Sequence, residues 1–73
     1  SCTYIIQCKT DGHSKHDLPS SGWSAKTDVR ENQIDAEKRA IDIMVELQTK
    51  GWKKPQCRVI KVLFNCETTK EVA

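Results

Sequence analysis

The stretch Asp35–Gly51, DAEKRAIDIMVELQTKG, decides the fold. At 100° per residue, Ala36, Ala40, Ile43, Met44 and Leu47 fall on one stripe, which Ile41 and Val45 widen towards half the circumference. Lys38, Arg39, Asp42, Glu46 and Thr49 occupy the opposite arc. The spacing therefore predicts an amphipathic helix over 35–50, with Asp35 as N-cap and Glu37 in the first turn. Asp35–Arg39, Lys38–Asp42 and Glu46–Lys50 are spaced for weak supporting ion pairs. Gly51 suits the left-handed cap, Trp52 is placed to fold back onto the last turn, and Pro55 forbids resumption of the helix.

On the C-terminal side, Cys57–Cys66 (CRVIKVLFNC) reads as a strand. Arg58, Ile60, Val62, Phe64 and Cys66 share one face; Cys57, Val59, Lys61, Leu63 and Asn65 share the other. Residues 67–73 read as a frayed polar tail. At the N-terminal end, Cys2–Lys9 (CTYIIQCK) reads as a strand with Cys2, Tyr4, Ile6 and Cys8 on one face and Thr3, Ile5 and Gln7 on the other. Asp11–Gly22, with two Gly, one Pro and three Ser, reads as a long flexible loop. Trp23–Val29 is a weaker strand, with Trp23, Ala25, Thr27 and Val29 on the side expected to be buried.

The element order, β-β-α-β, implies a single α+β domain over 1–73. One helix covers one face of a three-stranded sheet of order 2-1-3. The first strand lies in the centre, antiparallel to both neighbours, and the crossover through the helix makes the outer two parallel. The other sheet face is left open. With Thr3, Ile5, Gln7, Val59, Lys61 and Leu63 assigned to it, it is half apolar, a candidate surface for a protein partner or a second copy of the chain.

Composition narrows the functional classes. Seventy-three residues and 8.3 kDa make one domain with a small core, too small for a doubly wound cofactor fold, so no cofactor is expected. No apolar run approaches the ~20 residues of a membrane span, and no membrane association is expected. Residues 1–35 carry four basic and five acidic side chains, and 36–73 carry eight and five. Lys50, Lys53, Lys54, Arg58 and Lys61 fall in one acid-free stretch that also holds Trp52. These six residues are a candidate nucleic-acid contact, with Trp52 stacking on a base and the cations holding phosphates. The plainer alternative is a solvated helix end complementing the helix dipole.

Four cysteines leave three readings open: reduced and packed as small apolar residues, two disulfides, or a metal site with His13 and His16. With the first and last strands antiparallel, Cys2–Cys66 and Cys8–Cys57 is the favoured pairing of the three open to four cysteines. Cys8-x4-His13-x2-His16 is not a standard zinc spacing and no CxxC occurs, so no metal is assigned. His13 and His16 read as exposed loop histidines. No phosphate-cradling glycine loop, nucleophile elbow or acid/base pair is present, which points to a non-enzyme with no catalytic residues.

Gly22-Trp23 leading a strand, the helix start Asp35-Ala36-Glu37-Lys38 and the strand Arg58-Val59-Ile60-Lys61-Val62 together resemble small phage and bacterial proteins of the inhibitor type, such as anti-restriction and anti-CRISPR proteins. The resemblance is one of fold pattern over about two thirds of the chain. It implies a non-enzymatic binder that inhibits or redirects a host protein, and it transfers no binding residue. The expectation is a protein-binding module, monomeric or homodimeric, using Ile5, Gln7, Val59, Lys61 and Leu63. A nucleic-acid binder using the basic segment and a secreted, disulfide-stapled interaction domain are the alternatives. A cytoplasmic location follows from reduced cysteines, an extracellular one from paired cysteines.

Overall fold

The computed structural model describes residues 2–15, 22–24, 27–63 and 66–72, the side chain of Cys66 excepted. Strand β1 (Thr3–Lys9) is followed by the short β2 (Gly12–His13), β3 (Asp28–Arg30), helix α1 (Gln33–Thr49), β4 (Trp52–Lys53), β5 (Gln56–Leu63) and β6 (Cys66–Glu71). The main sheet has the order β3-β1-β5-β6, and β2 pairs with β4 in a separate ribbon. Both β3 and β5 run antiparallel to β1, so they are parallel to each other and linked through α1, as the sequence pattern implies.

The sheet has a fourth strand where the sequence suggested a frayed tail. The stretch 57–66 is not one strand: β5 ends at Leu63, and β6 returns antiparallel beside it, with Leu63 opposite Cys66 and Arg58 opposite Glu71. Beyond β6, the Val72 N–H donates to the Cys57 carbonyl at 3.0 Å, and the Val72 side chain packs against the core. Without β6, the outer edge of β5 would carry a row of unpaired backbone groups.

Helix α1 begins earlier than its periodicity suggests. The N-cap is Asn32, not Asp35: its Oδ1 accepts the Ile34 N–H at 2.8 Å and the Asp35 N–H at 3.2 Å. That satisfies two of the donors a helix start leaves free. Gly51 adopts φ +96° and ends the helix as expected. Of the three predicted side-chain pairs, Glu46–Lys50 forms, at 3.6 Å. Arg39 turns instead to Asp28 on β3, Nε to Oδ2 at 2.9 Å.

The predicted second strand is ordered along β1 in two ways. Asp28–Arg30 pairs in register, with Ile5 opposite Val29. Further back, Ser24 and Cys8 exchange two bonds, the Ser24 N–H to the Cys8 carbonyl at 2.9 Å and the Cys8 N–H to Ser24 Oγ at 3.2 Å. Opposite Ile5, Val29 lies on the face away from the helix and is half-buried; the ion-paired Asp28 and Arg30 lie on the helix side. Of the long loop, Gly12–His13 is paired with Trp52–Lys53, and positions 16–21 lie outside the described residues.

The core lies between α1 and one sheet face. Tyr4, Ile6 and Cys8 of β1, Cys57 and Val59 of β5, and Ala36, Ala40 and Ile43 of α1 are all buried there, with Cys2, Met44 and Leu47 packed at its margin. Two alanines on the buried helix face let the helix approach the sheet closely. Cys8 and Cys57 stand directly opposite each other, Cα–Cα 4.2 Å, and are joined by a disulfide. Cys8 spends its backbone N–H and carbonyl on Ser24, so its pair with Cys57 is of the non-hydrogen-bonded type, in which side chains approach most closely. The second predicted bridge does not form, and Cys2 is a free thiol. Continuing the register puts Cys2 opposite Leu63, and Cys66 lies opposite Leu63 on the far side of β5. The two cysteines are thus about two strand spacings apart, roughly 10 Å, beyond the ~7 Å limit for a disulfide.

Candidate interaction site

Register decides which side chains the open sheet face displays. Ile6 is opposite Val59 and Tyr4 opposite Lys61, so Val59 and Lys61, and with them Leu63, lie on the helix-covered face. Val59 is 3% exposed, a core residue. The expected partner surface of Ile5, Gln7, Val59, Lys61 and Leu63 is therefore divided: Ile5 and Gln7 face away from the helix and the other three face towards it. The open face carries Thr3, Ile5, Gln7 and Lys9 of β1, Arg58, Ile60 and Val62 of β5, and Glu67, Thr69 and Glu71 of β6. Its apolar members are not freely displayed: Ile60 is buried and Ile5 and Val62 are half-buried.

One end of that face is occupied by the chain itself. Arg58 donates through Nε and Nη2 to Gln7 Oε1 at 2.8 and 2.6 Å. The ring of Trp23 receives both Arg58, its Cζ 4.4 Å from the centroid, and Lys9, its Nζ 4.6 Å away. Trp23 is thus a lid on two cations rather than a core residue, and Arg58 is engaged on both sides.

The residues of the basic segment do not share one surface. Lys50 pairs with Glu46 at the helix end, Lys54 pairs with Asp11 at 3.8 Å, and Lys53 is exposed on β4. Arg58 is on the open sheet face and Lys61 on the opposite one. Trp52 packs edge-on against His13, ring centroids 4.6 Å apart. His13 is half-buried rather than a free loop histidine. Its Nε2 contacts the Lys50 carbonyl at 2.6 Å and its Nδ1 accepts the Lys15 N–H at 2.9 Å, which together require the neutral Nε2–H tautomer. His13 and Trp52 so tie the β2–β4 ribbon to the helix end. Among the described residues no group of three or more His, Cys, Asp or Glu is arranged to hold a metal, and Cys8 is committed to its disulfide. His16 lies outside the described residues.

The exposed large apolar side chains among the described residues are elsewhere, all on α1: Ile34 at 62% exposure, Ile41 at 49% and Val45 at 58%. At 100° per residue these three fall within about 40° of one another, roughly 150° round from the buried Ala36–Ala40–Ile43 face. They form a stripe along the solvent side of the helix. Lys38 lies at one edge of it, and Asp42, Asp35 and Glu46 continue the flank beyond Lys38. Ile34 escapes a helix begun at Asp35. The signal that could have found it is Asn32, a good cap placed two residues before it.

No family model, curated protein or solved structure matches this chain. Among the described residues no helix is long and apolar enough to cross a membrane.

Proposed function

We propose that the protein is a non-enzymatic protein-binding module, of the kind that inhibits or regulates another protein, and that it docks through the outer face of α1. The observation that carries this reading is the Ile34–Ile41–Val45 stripe. Three large apolar side chains, each about half exposed or more, are aligned on a helix whose other face already fills the core. Scattered exposed apolar residues are ordinary, but an aligned set on one helix face is the pattern by which helices dock. The flank of Asp35, Asp42 and Glu46 favours a partner that rims its apolar surface with lysine or arginine. A second copy of the chain is the poorer occupant, because two such helices packed antiparallel about a two-fold would bring the acidic flanks of both copies onto the same side.

The Cys8–Cys57 disulfide supports work in an oxidising compartment, since such bonds persist outside the reducing cytosol.

The test compares Ile41→Glu and Val45→Glu with Val59→Asp. The two helix variants should keep the wild-type unfolding midpoint within about 0.5 kcal/mol, since both sites are exposed. They should also lose crosslinking to a bound partner. Val59→Asp should unfold the domain. Partner crosslinking that survives both helix substitutions would remove the helix from the interface.

A further inference from the structure

Between the first turn of α1 and the helix-side face of the sheet lies a cleft of about 260 Å³, lined by Tyr4, Gln33, Val59, Lys61, Thr68 and Lys70. The ladder explains why these residues meet. Tyr4, Lys61 and Thr68 form one row across β1, β5 and β6, and Val59 and Lys70 are directly opposite each other in β5 and β6. Opposite Cβ atoms are about 5 Å apart, so the Lys61 stem runs between a phenol and a threonine hydroxyl. Gln33, the first residue of α1, faces them. Lys70 is held by Glu37 of the helix.

Lys61 is half-buried, and no acidic side chain among the described residues pairs with it. Tyr4 is only 8% exposed, and its ring edge lines the cleft. Among the described residues no side-chain nitrogen or oxygen is both buried and unpartnered, so the Lys61 ammonium and the Tyr4 hydroxyl open to the water of the cleft, where an anion would meet an unpaired cation beside a hydroxyl donor. Two lysines face a single acid here, Glu37, which is already spent on Lys70.

We propose that this cleft binds a phosphate group. Its free donors are the Lys61 ammonium and the Tyr4 and Thr68 hydroxyls, from β5, β1 and β6, while Lys70 and the Gln33 amide both bond Glu37 and would be shared with it. Lysine serves phosphate as a point charge, whereas a planar carboxylate is matched best by the arginine fork, and no arginine lines the cleft. The site is separate from the helix stripe, so it stands whether or not α1 docks a partner.

The experiment is thermal unfolding of the full chain titrated with inorganic phosphate and, separately, with glycerol phosphate, each against chloride at matched ionic strength. A saturable rise in midpoint beyond the chloride control is expected. Lys61→Met, which keeps the stem, should weaken the response by about tenfold or more, and Tyr4→Phe by about fivefold. Lys53→Met, at an exposed lysine outside the cleft, should leave it unchanged. A response to both compounds identifies the phosphate group as the ligand with its ester side open; a response to inorganic phosphate alone identifies the free ion. No saturable rise with either compound, or an equal response in wild type and Lys61→Met, overturns the proposal. Chemical-shift titration of folded Lys61→Met provides the same comparison without unfolding, independent of any change in stability.

Discussion

Replacing both members of the cross-strand disulfide, Cys8→Ala with Cys57→Ala, should remove a large share of the stability of this domain. The bond joins residues 49 apart in sequence. In the chain-entropy account a loop of that length restricts the unfolded chain by about 4 kcal/mol at 25 °C. A 73-residue domain holds in total roughly 4–11 kcal/mol at the usual 0.05–0.15 kcal/mol per residue. The loss is therefore between about a third of that total and all of it. In thermal terms it is a fall of about 15–30 °C, at roughly 4–8 °C per kcal/mol for a domain this size. The double variant is a better perturbation than added reductant, because Cys57 is fully buried and Cys8 nearly so. Urea unfolding followed by tryptophan fluorescence reads the result directly. The midpoint should drop by about 2 M or more, given slopes of about 1–2 kcal/mol/M. Cys2→Ala, which removes the unpaired thiol, should change it far less. A double variant within about 1 kcal/mol of wild type would refute the reasoning. It would mean either that the bond is absent in the folded protein or that the unfolded chain is already compact around positions 8 and 57.

Two further perturbations test local claims. Gly51→Ala meets a positive φ of 96° and would place a Cβ 2.8 Å from Ser14 Oγ and 3.0 Å from His13 Cε1. It should cost about 1–3 kcal/mol in the urea midpoint. Gly22→Ala, at φ +70° with nothing within 4 Å, should cost less, and equal losses would show that the His13–Ser14 contact contributes nothing. Asp28 is held below the ordinary aspartate range, first by the Arg39 bond, then by the Val29 N–H, and Glu37 is held down by Lys70 and then Gln33. Depressed carboxylates stabilise above their unfolded pKa and lose that contribution as pH falls through the folded value. Wild type should therefore weaken progressively below about pH 4. Asp28→Asn should narrow the difference between unfolding midpoints at neutral and acid pH, and an unchanged difference would remove Asp28 from the acid response.

The strand order and the single helix were legible because each rests on strong periodicity, and the error in the sheet faces was legible too. If Cys8 pairs with Cys57, alternation forces Val59 and Lys61 onto the face of Cys8, Ile6 and Tyr4. An open face holding Ile5 and Gln7 beside Val59 contradicts that pairing. The parity of one cross-strand pair sets every other side chain in both strands. Residues 66–71 were harder to read. Glu67, Lys70 and Glu71 make the segment look like a solvated tail, yet charges are what an edge strand carries to avoid further pairing. Lys61 illustrates the remaining limit. In sequence it belongs to a basic run ending at 61, but its surroundings come from β1, β6 and α1, and no local pattern records that Tyr4 and Thr68 flank it.

The three perturbed regions are separable within this fold, which makes their joint behaviour informative. The Tyr4–Lys61 pair lies about 13 Å along β1 from Cys8–Cys57, counting four residues at 3.3 Å each. Ile41 and Val45 point to solvent on the far side of the helix from the core. Sites this far apart and without shared partners act nearly additively. Loss of the disulfide should thus lower the unfolding midpoint without changing the affinity of the remaining folded protein for phosphate. Substitutions at Ile41 should alter neither. If breaking the Cys8–Cys57 bond instead abolished the phosphate response of a still-folded protein, the bond would be setting the geometry of the opposite end of the β1–β5 ladder. The cleft would then depend on strain transmitted along two strands rather than on the register of Tyr4, Lys61 and Thr68 alone.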